Sequence, residues 1–149
     1  MRLFLSLAAA GLLLSGANAA AATGTTKFTV PPGAKFIDCR IADPQAFTSS
    51  RIVLLYQPEL KEMHVIDGAI NEVYARPIEV DVSEDTPQHV VMSWVVKNLP
   101  GHTNNGQTVA ADIKYNVIYV KASQSIIVVA QILAYDNRLY QSAGTCTVK

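Results

Sequence analysis

Residues 108–136 read TVAADIKYNVIYVKASQSIIVVAQILAYD, and their patterning decides the fold class. In the first half Val109, Ala111, Ile113, Tyr115, Val117 and Tyr119 share one parity, while Asp112, Lys114 and Asn116 share the other. A period of two is the mark of a strand with one buried face. Ala122-Ser123-Gln124-Ser125 has turn composition, and the Ile- and Val-rich run after it favours pleated sheet. The stretch is a long antiparallel hairpin whose first arm, at about 3.3 Å per residue, spans on the order of 40 Å. Strands of that length twist and bend, as they do in barrels.

The same alternation extends outward on both sides. Lys35–Ile41, Arg51–Gln57 and Glu62–Asp67 read as three strands, separated by a loop opening at Asp43-Pro44 and a turn at Pro58–Lys61. Asp67-Gly68 reads as the next turn signal. Ile78, Val80 and Val82 alternate with Glu79 and Asp81, and Pro77 marks an edge, a bulge or the start of that strand. Ser83–Pro87 is a polar connection. Gln88–Asn98 places Val90, Met92, Trp94 and Val96 on one face; Leu99–Gly106, with Pro and Gly, reads as a loop. After the hairpin, residues 137–144 read as a second loop and Thr145–Val148 as a short final strand. No amphipathic helix longer than two turns is evident.

About eight strands joined by short turns make a single-domain, all-β antiparallel meander over residues 35–149. Cys39 lies on its first strand and Cys146 on its last. In an oxidising compartment an isolated pair forms a disulfide, which needs Cα atoms within about 7 Å. First and last strands are then neighbours, and the meander becomes a closed or flattened barrel without free edges. A two-sheet β-sandwich bridged between its sheets is the alternative. An immunoglobulin-type domain is disfavoured because Trp94 is remote from both cysteines. The layout resembles lipocalin-like barrels in architecture alone. Their Gly-x-Trp signature is absent, since Trp94 follows Ser93 in mid-chain.

The first nineteen residues read as a cleaved signal peptide: Arg2, an apolar run from Leu3 to Leu14, then Ala17-Asn18-Ala19. Leu14–Ala17 approaches a lipoprotein signal, but no Cys follows it. Residues 20–34 read as a flexible lead-in, broken at Pro31-Pro32-Gly33. The expected product is secreted, periplasmic or extracellular, without a membrane anchor. Beyond Ala19 the chain holds 16 Val and 11 Ile but 6 Leu, which favours sheet. Loss of Arg2 takes the 12 basic residues to 11 against 12 acidic, so bulk charge attracts neither nucleic acid nor an anionic membrane.

Candidate sites follow from residue types. His64, His89 and His102 lack metal-ligand spacing, and the two cysteines have no further partner, so no metal site is assigned. Glu79, Asp81, Glu84 and Asp85 lack a calcium-loop pattern, and Glu79 and Asp81 read as the solvated face of a strand. No nucleophile elbow or phosphate loop appears, no catalytic residue is assigned and no cofactor is implied. Met92, Trp94, Tyr115 and Tyr119, with Tyr74, are the expected lining of any internal cavity for a small apolar ligand. An ordinary filled core explains the same residues. In the loop 135–140, Arg138, Leu139 and Tyr140 are the expected partner-binding residues, Arg and Tyr being enriched at protein contacts; the plainer role of Leu139 and Tyr140 is to cap the barrel. The function expected from sequence is a non-enzymatic binding protein, a small-ligand carrier or a protein-partner module. Its rival is a small hydrolase or isomerase whose site is assembled from dispersed residues.

Overall fold

The computed structural model describes residues 28–135 and 138–149. The leader reading of residues 1–19 lies outside them, as do Asp136 and Asn137 of the proposed partner loop. Nine strands and one short helix follow in order: β1 (Lys35–Ile41), β2 (Arg51–Gln57), β3 (Glu62–Asp67), α1 (Gly68–Tyr74), β4 (Ile78–Glu79) and β5 (Asp81–Asp85). Then come β6 (His89–His102), β7 (Thr108–Val120), β8 (Ser125–Ile132) and β9 (Leu139–Val148). They form one antiparallel sheet in the order β4-β3-β2-β1-β9-β8-β7-β6-β5, curled into a nearly closed barrel. The sandwich alternative is set aside by this single continuous sheet.

The deciding hairpin is present in register, with Val120 opposite Ser125 and Tyr115 opposite Ala130. Cys39 and Cys146 face each other directly across β1 and β9 and are bonded, with Cα atoms 3.9 Å apart. Phe36 and Lys149 exchange both backbone hydrogen bonds three residues away. By alternation the cysteines occupy a non-hydrogen-bonded pair, where side chains approach most closely. Both are buried inside the barrel. The bridge spans a sequence separation of 107 residues, for which chain entropy gives an upper bound of about 4–5 kcal/mol.

Joining the first and last strands does not by itself close the barrel. The sheet's two ends are β4 and β5, which are consecutive pieces of one run of chain split at Val80. Above Val80 that run pairs with β3, and below it with β6. The Val80 amide donates to the Met63 carbonyl at the changeover. One stave thus serves both margins, so the wall has eight places for nine strands. Where β6 runs past β5, its edge is covered by α1: the Lys97 N–H donates to the Tyr74 hydroxyl at 2.9 Å.

Four local readings are corrected. Asp67-Gly68 opens a helix and not a hairpin turn, because the Asp67 carboxylate accepts from the Ile70 N–H as an N-cap. Ile70 then buries completely. Ser83–Asp85 belongs to β5, through a bulge between Val82 and Glu84. β6 continues through Pro100 and Gly101 to His102 as a ribbon paired with β7. Thr103 donates to the Gln107 carbonyl at its tip, so by alternation Pro100 sits at a non-hydrogen-bonded position and its missing N–H costs no rung. Finally, residues 139–144 are strand, not loop. The glycine that suggested a loop is there because of crowding: a Cβ on Gly144 would lie 2.2 Å from the Arg40 carbonyl oxygen.

The middle of the barrel is solidly packed. Ile52, Leu54, Val65, Met92, Ile113, Tyr115, Val117, Ile126 and Val128 are essentially inaccessible to solvent. Native interiors of this kind pack about as densely as organic crystals.

Candidate functional site

The barrel has two dissimilar ends. The base carries the β2–β3, β5–β6 and β7–β8 turns with the start of β1; the crown carries loop 42–50, α1, the end of β8 and the start of β9. A cavity of about 300 Å³ opens at the base. Its floor is Ile37, Met63 and Val90, the innermost apolar residues of β1, β3 and β6 at that level. Tyr56 and Tyr119 wall it, and Lys35, Lys121 and Gln124 stand at its rim.

Beside the rim lies a hydrogen-bonded set centred on Asp85. Its carboxylate accepts from the Tyr56 hydroxyl at 2.6 Å and from Lys121 Nζ at 2.5 Å. Lys121 also donates to the Thr86 carbonyl at 2.6 Å. Burial pushes the Asp85 carboxyl upward, but the Lys121 and Tyr56 hydrogen bonds and the charges of Lys121 and Lys61 outweigh it, leaving Asp85 below the usual carboxylate range. The bond to Asp85, then burial, pushes the Tyr56 hydroxyl up to about 12. Burial raises Tyr119 as well. The turn itself is held by Thr86, whose hydroxyl accepts from the Gln88 and His89 amides.

Asp85 is the residue that sequence reading missed. Strict alternation from Val80 and Val82 turns Glu84 inward. The bulge inserts one residue, pairs Glu84 with Val91 and Asp85 with inward-facing Val90, and so exchanges the two carboxylates. Glu84 instead faces His89 at 3.2 Å. The only hint in the sequence was two adjacent acidic residues beside a turn, which does not say which of them points inward.

The crown is closed by its own chain. The Tyr115 hydroxyl donates to the Phe47 carbonyl at 2.7 Å, and the Gln45 amide donates to Ser142 Oγ at 2.9 Å. Phe47 meets Tyr140 edge-on, with ring centroids 5.6 Å apart. Asp67 is buried below this loop, and desolvation raises its carboxyl above the ordinary value despite the Ile70 and Ala69 amides and Ser49. Burial and the neighbouring Asp67 also push Tyr115 upward. Trp94 stacks on Tyr115 at 5.4 Å; among the described residues its Nε1 and Thr48 Oγ1 are buried without a hydrogen-bond partner. Outside this plug a small apolar hollow of about 130 Å³ lies between Phe47, Leu99, Val109, Ile132 and Tyr135.

Of the residues expected to line a cavity, Tyr119 does so, at the base. Met92, Trp94 and Tyr115 stand in the packed middle, as the filled-core explanation has it. Tyr74 is on α1 and receives the Lys97 amide outside the barrel. Of the expected partner loop, Leu139 is 62% exposed and Tyr140 is half-buried against Phe47. Arg138 adjoins them and is exposed. His64 lies on the outer wall with Phe28, ring centroids 5.5 Å apart, and His102 ends the β6–β7 ribbon. Among the described residues no three His, Cys, Asp or Glu side chains converge to hold a metal ion, and no helix is long and apolar enough to cross a membrane. No protein-family model, no curated protein and no solved structure matches this chain.

Proposed function

We propose that this is an exported, non-enzymatic binding protein that holds a small ligand with an apolar body in the cavity at the base of the barrel. One observation carries the reading: a barrel whose middle is buried apolar core leaves about 300 Å³ open at one end, over an apolar floor and between two tyrosines. That is the lower limit of ordinary small-molecule sites. At about 30 Å³ per water-sized group, it takes a ligand of roughly ten non-hydrogen atoms. Export is supported by the Arg2, Leu3–Leu14 and Ala17–Ala19 pattern together with the Cys39–Cys146 bridge.

The chain supplies its own reporters. Once the leader is removed its methionines are Met63, on the cavity floor, and Met92, in the packed middle. Titration with small alcohols, phenols and carboxylic acids is expected to move the Met63 methyl resonance and leave Met92 nearly still. If Met63 does not respond to any of them at millimolar concentration, the base is not a ligand site.

A protein partner at the crown is the second reading. It is favoured by Tyr135 at 69% and Phe47 at 38% exposure on the crown hollow, with Leu139 at 62% at the start of β9. Leu139→Ser with Tyr135→Ser is expected to abolish co-purification of such a partner without lowering Tm; co-purification that persists rejects the crown as the contact.

A further inference from the structure

Resting on the ligand reading of the base, we infer that the ligand is a small aromatic monoanion, an aryl-alkanoate, held with its ring on the Ile37–Met63–Val90 floor and its carboxylate at Lys35 and Lys121.

Shape selects the ring. Lys35 at the rim and Ile37 at the floor are two residues apart on one strand, a depth of about 7 Å. A volume of about 300 Å³ over that depth makes a bowl about as wide as it is deep, not a long shaft. Below it the interior is occupied by buried core side chains, which favours a short ligand body over a long acyl chain. Tyr56 and Tyr119 supply flanking aromatic surfaces, and Met63 a polarizable sulfur that packs well against a ring.

Charge selects the head. The charged residues lining the cavity are Lys35 and Lys121, both cations. Asp85 stands behind Lys121, and it does not consume that ammonium group. Of three donors, Lys121 gives one to Asp85 and one to the Thr86 carbonyl, which leaves a third for a ligand carboxylate at the rim. Lys61 adds a further positive charge near Asp85. A neutral ligand would gain at most a hydrogen bond and no charge attraction from these groups, and a cationic one would meet like charge.

Three probes of matched body distinguish the possibilities: phenylacetate, 2-phenylethanol and phenethylammonium, with octanoate as the non-aromatic acid. Affinities are read by calorimetry and located by the Met63 methyl signal. Phenylacetate is expected to bind at least tenfold more tightly than 2-phenylethanol, with phenethylammonium weakest. Its advantage is expected to shrink as salt screens the rim. Lys35→Gln lies at an exposed strand end and is expected to weaken phenylacetate about threefold to fivefold, leaving 2-phenylethanol unchanged. Lys121→Gln should act the same way but also loosens the 85–89 turn, so Lys35→Gln is the deciding variant.

Equal binding of acid and alcohol overturns the anionic head while the site stands. Tighter binding of the amine overturns it in favour of Asp85 as the recognising group. Octanoate equal to phenylacetate overturns the aromatic body. Failure of all four to move Met63 brings down the ligand reading itself.

Discussion

The two ends of this barrel each turn one carboxylate inward and treat it in opposite ways. At the base, Asp85 is ionised comfortably between Tyr56 and Lys121 beside an open cavity. At the crown, Asp67 is shut under loop 42–50, raised by desolvation and used to cap α1. The base keeps charge at its rim and space behind it. The crown uses its polar groups to fasten its own chain, through Tyr115 to Phe47 and Ser142 to Gln45. A barrel of eight staves has room in its interior for side chains or for one small ligand. Here side chains fill the middle and crown, and the base keeps an open cavity.

The largest expected effect compares the two inward tyrosines of β7. Tyr115 is fully buried, stacked on Trp94 and bonded to Phe47. Tyr115→Ala is expected to cost about 3–5 kcal/mol, because the void lies where nothing can collapse into it. Tyr119 already borders a cavity, so Tyr119→Ala merely enlarges it and is expected to cost on the order of half as much. Urea unfolding of both variants measures the difference. Equal losses would mean that the base is as tightly packed as the middle, and the contrast between the ends would collapse.

That contrast was only partly legible in the sequence. Strand identity was readable because one face is wet and the other dry, which writes a period of two into β1, β3, β6 and β7. The disulfide was readable because an isolated pair of cysteines behind an export-like leader has one economical use, and it then set the first strand beside the last. What could not be read were the single-residue events. The bulge at Val82–Glu84 decides that Asp85 and not Glu84 reaches the base. The αL residue Asn98, φ 55°, with its amide on Asp112, shifts β6 again and turns Leu99 toward the crown hollow. Each inverts every side chain beyond it, yet leaves no mark in composition. Aromatic residues were equally ambiguous: parity placed Trp94, Tyr115 and Tyr119 inside, but depth along the barrel separates packing from lining.

A smaller effect follows from the sign of the two carboxyl shifts. Asp85 has a folded pKa below its unfolded value of about 3.9. Its contribution is therefore complete above that value and lost as pH falls through the folded one. Asp67 is shifted the other way, so its contribution is present below the unfolded value and lost as pH rises through the raised one. At neutral pH, Asp85→Asn is expected to destabilise by about 1–2 kcal/mol, the worth of two partly solvated charged hydrogen bonds. The gap from wild type should begin to narrow below about pH 4 and close as pH falls through the lowered folded value. Asp67→Asn keeps a capping oxygen and removes a buried charge, so it is expected to be neutral or slightly stabilising at pH 7. Stability curves between pH 3 and 8 test both, and two variants with parallel profiles would contradict the opposed environments.

The smallest effect isolates the Tyr56–Asp85 bond. Tyr56→Phe removes one donor from a carboxylate that retains Lys121, and about 1 kcal/mol of stability is expected to go with it. The titration of Tyr56 is the sharper observable. Its folded pKa near 12 exceeds the unfolded value of about 10, so the folded chain holds an extra proton between them. Stability supplied by this residue is thus complete below pH 10 and lost as pH rises toward 12. Since the bond to Asp85 is the main cause, with burial second, Asp85→Asn should bring Tyr56 part of the way back toward 10. Tyr115, held up by burial and Asp67 at the other end, should not move. Ultraviolet titration of the tyrosines in wild type and Asp85→Asn reads this directly. A Tyr56 that stays near 12 without the carboxylate would show that burial governs the base as it does the crown, and that the two ends differ in shape alone.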